Sequence, residues 1–159
     1  MADSEAGKTI PRSMDLFETI KGRRSVRKFR DEPVGRDVLD RVIEAGVQAP
    51  SACNVQGWRF IVVESPELRR AIVNAGGSVA IPEAPAGILV VYDNTTKNTH
   101  YRDDVQSASA CIQNMLLAAH AMGLGSCWLC NLPSHAFLRR LLGIPWNYSP
   151  VAYLVLGYP

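Results

Sequence analysis

The 159-residue chain has no apolar run approaching the roughly 18 residues that span a bilayer, and its opening, MADSEAGK, lacks the apolar core of a secretory leader. A cytoplasmic protein without membrane contact is expected. Cysteine is scarce: Cys53, Cys111, Cys127 and Cys130 are too few and too irregularly spaced for a disulfide framework, and they suit a reduced compartment. Net charge is nearly absent at +2, which excludes a polyanion partner engaged over the whole surface. There is no internal repeat and no low-complexity tract. Gly123-Leu-Gly125 lacks the third glycine and the following helix of a dinucleotide fingerprint and counts as a turn. His100, His120 and His135 have no ligand spacing, so no metal is expected. Cys127 and Cys130 have redox-motif spacing but fall in a strand pattern that turns them to opposite faces, which argues against a dithiol.

What remains is an ordinary globular composition, 47% hydrophobic and 20% charged, long enough for one domain with a real core. Its positive charge is concentrated in one place. Residues 21–30, KGRRSVRKFR, carry Lys21, Arg23, Arg24, Arg27, Lys28 and Arg30 with no acid among them. A coil holding Arg23, Arg24, Ser25 and Arg27 offers forked guanidinium donors, a hydroxyl and free backbone N–H groups, the donor set of a phosphate monoester site. The bland alternative is a solvated basic face. Nucleic acid would want further basic or aromatic surface, which the chain lacks.

Along the chain, residues 1–13 read as a loose polar arm. Met14, Leu16, Phe17 and Ile20 predict a short amphipathic helix over 15–22, ended by Gly22, which delivers the basic segment at a helix C-terminus where the dipole tolerates cations. Val38, Leu39, Val42, Ile43 and Val47 make the stripe of a second helix, 35–48, stopped by Ala49-Pro50. The loop 50–58, PSACNVQGW, follows; Ser51, Asn54 and Gln56 both donate and accept, which suits a heteroaromatic ring edge, although Ser and Asn are also ordinary turn residues. A strand is expected at 59–63, a helix at 66–74, and a loop or lid-like connection at 75–85. Continuous apolar runs at 87–92 and 151–156 predict strands covered on both faces, and 126–130 predicts a short one. Between them 103–122 is the longest helix, apolar on more than one face, so either central or at a subunit interface. A last helix is expected from Pro133 or Ser134 to Leu142. The alternation gives a layered α/β or α+β domain with four or five strands.

The ordered set RRSVRKF, PSACNVQGWRF, GLGSCW after a long Ala-rich helix, and an apolar strand ending in GYP resembles the nitroreductase family of flavin enzymes over residues 14–159. That resemblance implies a single α+β domain, a mostly antiparallel sheet of four to five strands flanked by helices, and a homodimer with an FMN at each of two sites shared by both chains. It implies that Arg23, Arg24, Ser25 and Arg27 hold the ribityl phosphate and one ring edge. Pro50, Ser51, Asn54 and Gln56 would reach the flavin from the partner chain, and Trp128, Leu129, Cys130 and Asn131 would lie alongside the ring near its reactive nitrogen. The implied activity takes electrons from NADH or NADPH and passes them by a ping-pong mechanism to a small electron-poor acceptor, a nitroaromatic or quinone, with no dedicated catalytic side chain. The alternative is a flavin-binding module with little turnover. Three departures stand beside the likeness. Family members usually continue past a GYP-like sequence with basic residues that touch the phosphate, where this chain stops at Pro159. Residues 74–84 and 93–101 are short, so an open pocket is expected. Gly57 replaces the usual proline after Gln56.

Overall fold

The computed structural model describes residues 15–95, 98 and 100–159; the expected arm at 1–13 lies outside them. Among the described residues five helices and four strands follow the order α1 (Leu16–Gly22), α2 (Arg36–Val47), a 3-10 turn (Ala52–Asn54), β1 (Trp58–Val63), α3 (Pro66–Asn74), β2 (Ala86–Asp93), α4 (Asp103–Ala121), β3 (Gly125–Leu129), α5 (His135–Leu142) and β4 (Tyr148–Gly157). The ends are set by local chemistry. Asp15 accepts from Phe17 N at 2.9 Å to cap α1, Ser65 with Pro66 behind it opens α3, and Ser134 accepts from Phe137 N to open α5. Gly143, at φ 66°, ends α5 in the left-handed conformation.

The strands form one sheet in the order β1-β2-β4-β3, antiparallel at every pairing. Its central strands alternate between two cores. Ile88, Val90 and Tyr92 of β2 and Ala152, Leu154 and Leu156 of β4 face Leu39 and Val42 of α2 and Cys111, Ile112 and Met115 of α4. Leu89, Val91, Tyr153 and Val155 face the other way, against Ile72 of α3 and Leu138 of α5. Both faces are therefore dry, and this explains strands that read as unbroken apolar runs without being parallel. The β2–β4 register shifts between Val90 and Val91, which pair with Ala152 and Pro150. That irregularity is what lets a proline sit inside a central strand, since it has no N–H to give the ladder.

The connection at 75–85, expected as loop or lid-like, is a loop held down along its length. Ala80, Ile81 and Ala84 are buried, and Ser78 N donates to Asn131 O at 3.2 Å. Helix α4 is buried along Ala108, Cys111, Ile112, Met115, Leu116 and Ala119, while Leu117, Ala118 and Ala121 on another side are only half-buried. Burial also pushes the Cys111 thiol up to about 12, so it remains protonated and inert at neutral pH.

Candidate functional site

Helix α1 hands the chain to the basic segment at Gly22. Arg24 Nη1 donates to the carbonyls of Lys21 and Arg23, the latter at 3.0 Å. One edge of this guanidinium thus closes the end of α1, where carbonyls lack partners and the dipole favours a cation. Its remaining N–H groups make no hydrogen bond among the described residues. Beyond it the backbone is extended and fixed. Ser25 bridges Ser126 of β3 in parallel, Val26 N donates to Ser126 O at 2.9 Å, and Arg30 N donates to Tyr158 O at 2.9 Å. The segment crosses the start of β3 and the end of β4, and it lies flush because both strands present a glycine there. A methyl on Gly125 would stand 2.8 Å from Val26 Cγ1, and one on Gly157 2.8 Å from Phe29 Cδ1.

With Val26 and Phe29 turned inward, Arg24, Ser25, Arg27 and Lys28 are exposed and Arg23 is half-buried. The ion pairs among the described residues are Lys21–Glu18 at 3.6 Å and Arg36–Asp40 at 2.8 Å. Arg23, Arg27, Lys28 and Arg30 therefore have no carboxylate partner there. Arg24 also lines a depression of about 330 Å³ with Gly22, Val26, His120 and the turn Gly123–Gly125.

The Ser/Asn loop is built quite differently. Cys53, Asn54 and Gln56 all have φ near +50° (49°, 54° and 51°), a left-handed conformation that non-glycine residues adopt at a cost. Short fastenings hold them in it: Ser51 O accepts from Asn54 N at 2.9 Å, Ser51 Oγ accepts from Gln56 N at 2.9 Å, and Ser107 Oγ of α4 accepts from Ala52 N at 3.1 Å. The Ser51 hydroxyl keeps its own proton for donation. Asn54 and Gln56 are exposed, and neither side chain makes a hydrogen bond among the described residues. Concentrated strain in a pinned, solvent-facing loop is a mark of function more than of packing.

Trp128 to Asn131 continue β3 away from its contact with Ser25. Leu129 is buried, Cys130 and Asn131 are exposed, and Trp128 Nε1 and Ser126 Oγ, two residues apart on one face, are buried with no hydrogen-bond partner among the described residues. The four cysteines are free: Cys127 is buried while Cys130 is exposed beyond the strand's end. Among the described residues no group of three His, Cys, Asp or Glu side chains converges, and no helix is long and apolar enough to cross a membrane.

Within one chain the basic segment and the Ser/Asn loop do not meet. Gly22 packs on His120, near the end of α4, and the loop is tied to Ser107, near its start. At about 1.5 Å per residue those anchor points lie about 20 Å apart along the helix. Between them lies an uncovered apolar face. Leu16 (62% exposed), Phe17 (67%) and Ile20 (49%) of α1 point outward, and Leu16, Ala45, Leu117, Ala118 and Ala121 line an open groove of about 450 Å³.

Sequence reasoning singled out the basic segment, the loop and the end of β3. It missed Ser107, one small polar residue in an Ala-rich helix, and the contact of His120 with Gly22, whose missing side chain makes room for the imidazole (a methyl would stand 2.6 Å from Nε2). No local pattern marks either, because each joins residues far apart in the chain.

Taken together these features define a class: a helix-covered antiparallel α+β domain with a basic strap fixed across two strand ends. The family model described as "Nitroreductase family" matches residues 20–76 and 75–158. A Methanothermobacter thermautotrophicus protein provisionally named NADH dehydrogenase/NAD(P)H nitroreductase is 37% identical over 151 residues, covering 92% of this chain and 78% of its own. A nitroreductase family protein of Clostridium novyi NT superposes with a TM-score of 0.84 at 29% identity, covering 92% of this chain and 86% of that one. A provisionally named nitroreductase of Desulfovibrio desulfuricans, solved in complex with FMN, superposes with a TM-score of 0.79 at 32% identity, covering 90% and 85%. The chain belongs to the nitroreductase family.

Proposed function

We propose that this chain is the subunit of a homodimeric FMN-dependent oxidoreductase that passes electrons from NADH or NADPH to a small electron-poor acceptor, such as a nitroaromatic or a quinone. The observation that carries the reading is the unpaired basic segment, whose guanidinium groups lack a carboxylate partner among the described residues on a backbone fixed to β3 and β4. A phosphate monoester supplies the missing countercharge, and the forked donors of Arg23 and Arg27 with the Ser25 hydroxyl match its oxygens. The donor set therefore fits FMN, the cofactor bound in the Desulfovibrio relative.

When bound, the cofactor supplies hydride acceptance from the nicotinamide and electron delivery to the acceptor. The chain's own residues bind and orient. Arg23, Arg24, Ser25 and Arg27 hold the phosphate and one ring edge, and a guanidinium there stabilises negative charge on the pyrimidine side. From the second copy, Pro50 shapes the loop while Ser51, Asn54 and Gln56 offer donors and acceptors to the ring's carbonyls and nitrogens. Trp128, Leu129, Cys130 and Asn131 form the wall alongside the ring. A single open face then admits nicotinamide and acceptor in turn, which is the order of a ping-pong mechanism. No side chain is assigned as general acid or base.

The geometry of α4 supports the second copy. A twofold axis crossing the middle of this helix exchanges its ends, so the Ser/Asn loop of one chain arrives at the basic segment of the other. The same operation covers Leu16, Phe17 and Ile20. Free thiols agree with a cytoplasmic location.

Purified protein is expected to be yellow and to lose its colour when NADH or NADPH is added without oxygen. A yellow protein that keeps its colour is a flavin-binding module rather than an enzyme. A colourless one without affinity for FMN contradicts both.

A further inference from the structure

The loop between α3 and β2 holds an exposed apolar side chain on a clamped turn. Residues 78–81 form a tight turn in which Ile81 N donates to Ser78 O at 3.1 Å and Ala80 N donates to Ser78 Oγ at 3.4 Å. Ile81 is fully buried and Ala80 nearly so, Gly77 N donates to Ile72 O at 3.0 Å, and Ser78 N donates to Asn131 O at 3.2 Å. The turn is thus clamped from both sides. Its remaining side chain, Val79 at the second position, is 79% exposed.

A valine held rigidly in water forgoes about 1.5–3 kcal/mol of burial. A polar residue would fit this turn position as well, since it asks only for ordinary negative φ. Singly exposed apolar residues are common and explain themselves; here the placement matters. The Ser78–Asn131 hydrogen bond brings the turn that carries Val79 to Asn131, next to the exposed Cys130, at the end of the strand proposed to flank the flavin ring.

We propose that Val79 is a specificity-determining residue: an apolar stop at the rim of the open face, which favours flat, uncharged acceptors by contact with their ring. This rests on the flavin reading of the same site. Because the turn is clamped by backbone bonds and by its buried neighbours, a change at Val79 alters the surface offered to the acceptor and leaves the cofactor's phosphate grip in place.

The test compares wild type, Val79→Asp and Val79→Lys with menadione, a neutral quinone, and nitrobenzoate, an anionic nitroaromatic, measuring KM and kcat for each together with the FMN dissociation constant. Val79→Asp is expected to raise KM for nitrobenzoate about fivefold or more and Val79→Lys to lower it, as one charge near the bound anion does. Both should raise KM for menadione, with kcat and FMN affinity close to wild type. Unchanged KM values in both variants overturn the inference. So does a loss of FMN affinity or of the dimer, which would assign Val79 to the cofactor or the interface. Wild-type protein that binds no FMN at all overturns the underlying reading, an outcome distinct from the others.

Discussion

Replacing Arg23 and Arg27 together by alanine is expected to weaken FMN binding severely while leaving riboflavin nearly unaffected. Each guanidinium stands without a carboxylate partner among the described residues, so nothing in the chain must be broken before it meets a phosphate. A hydrogen bond to a charged group contributes about 1.5–3 kcal/mol, so each arginine accounts for about 10- to 150-fold in affinity, and the pair for more. The fold should survive, because the segment is held by Val26, Phe29 and backbone bonds to Ser126 and Tyr158. Fluorescence titration with FMN and riboflavin in parallel measures the difference. Equal losses for the two flavins would mean that these arginines do not touch the phosphate. Arg24→Ala should behave otherwise, costing some helix stability as well, since its Nη1 caps α1.

The second large effect is expected from the exposed face of α1. Leu16→Asp combined with Phe17→Asp should convert the protein to a monomer by sedimentation and abolish FMN binding, although neither residue lies in the basic segment or the loop. Both side chains are mostly exposed in a single chain, so their replacement removes little packing within it, and a nearly unchanged circular dichroism spectrum is expected. Across a twofold interface the pair counts twice. Four apolar side chains at about 1.5–3 kcal/mol each, taken as an upper bound, make a large part of what holds two copies together. Carboxylates introduced into such an interface would add desolvation cost and repulsion. A variant that remains dimeric would remove α1 from the interface.

Much of the fold was legible because both its periods are strong. The helix expected at 66–74 is α3 to the residue, and 103–122 differs from α4 by one residue. Three strands fell short by a residue or more, and the one expected at 126–130 is displaced by one residue from β3, because strand ends are set by partners: β4 begins at Tyr148, three residues before the apolar run, since Tyr148 and Ser149 pair with Asp93 and Tyr92. The candidate site was legible as residue types and less so as roles. The sequence marks Arg24 as a cation but not as one that folds back on Lys21 and Arg23. It marks 75–85 as rich in Gly and Pro, which suggests a loop or lid-like connection, and Ile81 and the bond from Ser78 to Asn131 decide for a fixed loop. The outward face of α1 was read as an amphipathic stripe without a sign of which surface it meets. That ambiguity is physical: burial against a core and burial against a second copy demand the same residues.

The most direct measurement uses mixed subunits. Chains carrying Arg23→Ala with Arg27→Ala are combined with chains carrying Ser51→Ala with Asn54→Ala, each inactive toward FMN by itself, and heterodimers are isolated by two different tags. Where the strap of one chain and the loop of the other share a cofactor, one site of the heterodimer collects every lesion and the other is fully wild type. One tightly bound FMN per heterodimer is the expected result. No bound FMN would place strap and loop of the same chain in the same site, and would contradict a site assembled across the twofold axis.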